Sequence, residues 1–83
     1  MEKQIGEVTH FFNKAGVMVV MLKGKISIGD RIRVKRGGKE FDQEVRSMQI
    51  EYQDVQSAKG GDEVAIKIED SAREGDLVYK MEV

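Results

Sequence analysis

Apolar positions along this chain recur mostly at every second residue, the spacing of strands, and nowhere hold helical spacing for long. Residues 4–12 are β-rich and aromatic, and Asn13-Lys14-Ala15-Gly16 reads as a turn. The run VMVVML at 17–22 is continuously apolar. Its brevity and its flanking glycines predict a strand buried on both faces. Residues 31–36 alternate, with Ile32 and Val34 on one face and Arg31, Arg33 and Lys35 on the other. Arg36-Gly37-Gly38-Lys39 is a two-residue hairpin signal, because glycine tolerates the positive φ of primed turns. Residues 41–45 and 48–52 read as one long strand whose inward parity switches from odd to even numbers, which predicts a β-bulge near Arg46-Ser47. Residues 63–69 alternate with Val64, Ile66 and Ile68 inward, and 76–81 carry Leu77 and Tyr79 on one face. The segment 54–59 has room for one helical turn.

Six such strands and no long helix predict an all-β domain over 1–83, a closed six-stranded and mainly antiparallel barrel, since closure removes exposed edges. The expected core is Ile5, Val8, Val17, Val19, Leu22, Ile32, Val34, Val45, Ile50, Val64, Ile66, Ile68 and Leu77. One local device occurs three times. Gly29-Asp30, Gly61-Asp62 and Gly75-Asp76 each precede an apolar strand, with glycine allowing the turn and aspartate able to bond nearby N–H groups.

Composition narrows the chemistry. With 83 residues and no cysteine, the domain is held by packing, without disulfides or thiolate metal sites. No apolar leader or membrane-length run is present, so the expected address is the cytoplasm. Net charge is −1, yet the charges are segregated: residues 23–39 carry seven basic side chains against Asp30.

Most apparent motifs dissolve on inspection. Gly24 and Gly29 have P-loop spacing, but Asp30 and Arg31 stand where Lys and Ser or Thr belong, and a strand follows where a helix should. No nucleotide binding is expected. His10, the one histidine, reads as a half-buried structural residue sharing a face with Val8 and Phe12, and no serine elbow accompanies it. Asp42 with Glu44, and Glu69 with Asp70, read as solvated surface acids. Met18, Met21 and Met48 read as core filling. No catalytic residue, cofactor or metal is expected.

The basic stretch is the candidate binding site. Arg31, Arg33 and Lys35 project as a ladder, flanked by Lys23, Lys25 and Lys39, a footprint suited to phosphates. The competing reading is that acids on neighbouring strands neutralise the ladder.

The stretch VRSMQIEYQDVQSAKGGDEVAIKI resembles domain two of translational GTPases, nearest to the archaeal and eukaryotic elongation factor that delivers aminoacyl-tRNA and to the selenocysteine-specific factor. GKISIGDRIRV and SAREGDLV resemble that domain's other turn-and-strand elements. The IGEV opening and the short length are similar to the small C-terminal barrel of some collagenase-like peptidases. The first resemblance implies a translation-protein-type barrel, a rigid module that contacts RNA, the ribosome or a neighbouring protein domain while chemistry happens elsewhere. Taken with the basic strand, the expected function is a non-catalytic module that binds RNA or a ribonucleoprotein through that strand. The second implies a protein-interaction module that docks on a larger enzyme such as a peptidase. Neither involves a membrane.

Overall fold

Alternation at strand spacing becomes ten strands and no helix in the computed structural model, which describes residues 2–81. The strands are β1 (Glu2–Phe12), β2 (Val17–Leu22), β3 (Ile26–Ser27), β4 (Arg31–Arg36), β5 (Lys39–Glu44), β6 (Met48–Ile50), β7 (Gln53–Asp54), β8 (Ser57–Ala58), β9 (Glu63–Lys67) and β10 (Leu77–Met81). Eight of them form one antiparallel sheet in the order β5-β4-β10-β1-β2-β9-β6-β7, and β3 pairs with β8 apart from it. Its inner face holds the core, where Ile5, Val8, Ile32, Val34, Val64 and Ile66 are almost fully buried.

The closed six-stranded barrel is therefore not what the hydrogen bonds make. The outermost strands β5 and β7 do not pair, so the sheet is open. A side chain bridges part of the gap. The Gln43 Nε2 donates to the Lys67 carbonyl at 3.0 Å, and its Oε1 accepts from the Glu69 N–H at 2.9 Å. This amide acts as a peptide group would, tying edge strand β5 to the chain leaving β9.

The three Gly-Asp sites are three copies of one clasp. Gly29, Gly61 and Gly75 have φ of 95, 96 and 95°, which L side chains rarely adopt. Each following aspartate closes the turn twice. Its N–H donates to the carbonyl three residues back, and its carboxylate accepts that residue's N–H: Ser27 at 2.8 Å, Lys59 at 3.1 Å and Arg73 at 2.9 Å. Each turn then grips a buried residue by a reciprocal pair of backbone bonds, Gly29-Asp30 to Val45, Gly61-Asp62 to Leu22 and Gly75-Asp76 to Val8. The turn chemistry thus holds core residues in place.

Several local expectations shift. Around Arg46-Ser47 the parity does change, with Val45 and Met48 both buried, but through a break between β5 and β6 in place of a bulge within one strand. Segment 54–59 is extended, contributing β8, and has no helical turn. In β2 the even positions Met18, Val20 and Leu22 face the core, so Val17 and Val19 are not core and the strand is not buried on both faces. In β10 the buried residue is Val78, which pairs with buried Val34, so Leu77 faces outward. His10 is exposed. A register shift between Val8 and His10 turns it away from the face of Val8, and its ring lies against Phe12 at 4.4 Å.

Candidate functional site

The basic ladder sits on the outer face of the sheet, where β4 lies between β5 and β10. Arg31, Arg33 and Lys35 face the register partners Glu44, Asp42 and Glu40 of β5. Arg33 is the hub. Its Nε and Nη2 donate to the Asp42 carboxylate at 2.6 and 2.9 Å, and its Nη1 donates to Glu2 at 2.6 Å. Lys35 donates to the other oxygen of Glu2 at 2.7 Å and lies 4.7 Å from the centre of the Tyr79 ring. Asp42 on β5 and Glu2 on β1, the strand beyond β10, thus engage the middle of the ladder. Lys23 and Lys25 are exposed in the link between β2 and β3, away from the ladder, and Lys39 is exposed at the start of β5 opposite Arg36.

This network ties stability to pH. Hydrogen bonds from Lys35 and then Arg33 hold the Glu2 carboxyl below its ordinary 4.5, and Arg33 holds Asp42 below 3.8. The bond to Glu2 raises Lys35 above 10.5. The carboxylates' contribution is complete above their unfolded-state values and disappears as pH falls through the lowered folded ones. That of Lys35 is present below 10.5 and fades as pH climbs through its raised value. The urea midpoint of the wild type should therefore fall more between pH 6 and pH 2.5 than that of Glu2→Gln/Asp42→Asn. Parallel curves for the two proteins would mean that the pairs are not formed in solution.

A second surface lies elsewhere on the sheet, where the outward side of β2 and β9 meets the tip of the β6–β7 hairpin. A groove of about 760 Å³ is lined by Phe12, Val17, Val19, Ile50, Tyr52 and Ala65 among its apolar residues. Its charged lining residues are Glu51, Asp62 and Glu63, with no cation among the lining side chains. Phe12 is 51% exposed and Tyr52 95%. The signal for this groove in the sequence is VMVVML, apolar at both parities, whose odd side comes out uncovered.

The hairpin tip is strained. Ile50 pairs with Gln53, leaving Glu51 and Tyr52 as a two-residue turn with φ of 51 and 68°. Such turns favour Asn-Gly, and left-handed backbone at other residues costs about 1–2 kcal/mol each. Replacing Glu51 by Asn together with Tyr52 by Gly should raise stability by about 1–2 kcal/mol, read as a later thermal midpoint. An unchanged or earlier midpoint would show that the wild-type turn carries no such cost.

Among the described residues, no group of three His, Cys, Asp or Glu side chains is placed to hold a metal ion, and no helix is long and apolar enough to cross a membrane.

No family model matches the chain. It is 40% identical over 78 residues to an uncharacterized protease of Methanocaldococcus jannaschii, a match covering 92% of this chain and 19% of that protein. The chain thus spans about a fifth of the length of this curated relative. Its fold superposes on the C-terminal domain of a protein described as a U32 peptidase from Geobacillus thermoleovorans, with a TM-score of 0.90 and 16% identity over 96% of this chain and 93% of that one. The selenomethionine variant of that domain gives a TM-score of 0.87 and 15% identity over 92% and 96% of the two chains. These matches overturn the expected translation-factor-like, RNA-binding module, because both sequence and fold lead to peptidases. This chain has the fold of a U32 peptidase C-terminal domain.

Proposed function

We propose that the chain is a non-catalytic module, one domain over 1–83, that docks on a peptidase. One observation carries this reading. A protease matches 92% of this chain with only 19% of its own length, so the counterpart of this chain accompanies a much larger body in that relative. The fold likeness to a peptidase's C-terminal domain supports the same reading. Such a module orients or stabilises the larger body while the chemistry takes place there.

The test mixes the purified chain with a purified, full-length U32-type peptidase from the same genome and measures heat of binding. A saturable complex with a Kd near or below micromolar, about 8 kcal/mol, is expected. Absence of binding at concentrations well above that, or peptide hydrolysis by the isolated chain, would overturn the proposal.

A further inference from the structure

Strand β2 presents a physical problem that the isolated chain leaves unsolved. Its even side chains fill the core, and its odd ones are equally apolar, yet Val17 and Val19 are only half-buried and Met21 is 40% exposed. A strand apolar at both parities normally has a layer of protein on each side. Here the second layer is missing, and what stands in its place is the groove.

Two further observations concern the same spot. Tyr52 holds a large aromatic ring almost wholly in water on a turn whose backbone disfavours it. Strain kept at an exposed position is characteristic of sites that bind. Phe12 also lines the groove, half-exposed, with its ring tilted against that of His10. Two aromatic side chains beside an aliphatic floor supply the anchors on which interfaces depend. The charge of the groove identifies what covers it. Glu51, Asp62 and Glu63 lie in its lining with no basic side chain among them, so a partner surface carrying Lys or Arg beside its apolar residues is complementary and an acidic one is repelled.

We infer that this groove is the docking surface of the module, and that its occupant is an apolar segment of the peptidase flanked by basic residues. The inference rests on the docking reading above and adds where contact is made and with what chemistry. The Arg33 network, by contrast, already has its acids within the chain and remains outside the interface.

The experiment titrates isotopically labelled chain with the unlabelled full-length peptidase and follows backbone amide signals. Signals of Phe12, Val19, Ile50, Tyr52 and Ala65 should shift or broaden first. Phe12→Ser and Tyr52→Ser should each weaken binding about tenfold or more. Glu63→Lys should weaken it and reduce its salt dependence, since fewer opposite charges then meet across the interface. Lys39→Ala, on the other hairpin, should leave the Kd unchanged. Thermal melts of each variant separate lost binding from lost folding. Should the peptidase bind with shifts confined to Arg31, Arg33 and Tyr79, docking stands and the groove is refuted as its site. Should Glu63→Lys bind more tightly, the inferred basic character of the occupant is wrong. Should no peptidase bind at all, the docking reading falls and the groove's occupant falls with it.

Discussion

Ile66→Ala is expected to lower the stability of the domain by about 2–5 kcal/mol, the range for truncating a fully buried aliphatic side chain to alanine. Ile66 is 0% exposed in β9 and pairs with Met18 of β2 on one side and Met48 of β6 on the other. Those two unbranched neighbours can relax into part of the void, which favours the lower half of the range. Even so, the loss is large for a domain of this size, whose whole stability should be about 4–12 kcal/mol. The thermal midpoint should drop by about 10 °C or more. The informative comparison is Val19→Ala, on the outward side of β2, which should cost far less. Equal losses at the two positions in urea melts would contradict the assigned inner and outer sides of the sheet.

Gly6→Ala should destabilise by about 1–3 kcal/mol, although it adds only a methyl group. Gly6 lies between β10 and β2, paired with Val78 and Leu22. A Cβ there would stand 2.7 Å from Val20 Cγ1 and 2.8 Å from the Met21 carbonyl oxygen. The valine is fully buried with a stiff χ1, and the carbonyl belongs to the backbone of β2, so neither yields cheaply. Gly38→Ala is the matched control. A Cβ there meets nothing within 4 Å and the backbone is not left-handed, so the change should be neutral or stabilise by about 0.4–1 kcal/mol. A Gly6 variant as stable as the Gly38 variant would mean that β1 and β2 are not packed this closely.

The sequence made the strands and turns legible because those rest on local chemistry. The Gly-Asp pairs announced positive φ and a bonding carboxylate, and both are present three times over. Parity was harder. In 31–36 charge marks the outward side and the reading succeeds, whereas in 17–22 both sides are apolar and only the pairing of Met18 with Ile66 decides which is buried. Closure was not legible at all, since it depends on whether distant edges meet. The ladder of Arg31, Arg33 and Lys35 was visible as alternation, but its partners Glu2 and Asp42 come from other strands and no local pattern links them. For the groove, the missing information was that the second apolar side of β2 has no cover within the chain.

The position of β10 has a consequence for how the domain comes into being. Leu77–Met81 lies between β4 and β1, and among the described residues no other strand joins the β4–β5 hairpin to the rest of the large sheet. During synthesis the hairpin can form early with its clasp on Val45, and β1, β2 and β9 can assemble once Lys67 is free of the ribosome. The two pieces nevertheless share no strand pairing until β10 itself has been made. The clasp of Gly75-Asp76 on Val8 then joins parts of the chain far apart in sequence, the kind of contact that makes folding slow. The nascent chain must keep a half-built core from sticking to its neighbours through that interval, and Lys39, Glu40, Asp42 and Glu44 along the open edge of the waiting hairpin supply the charge that discourages it.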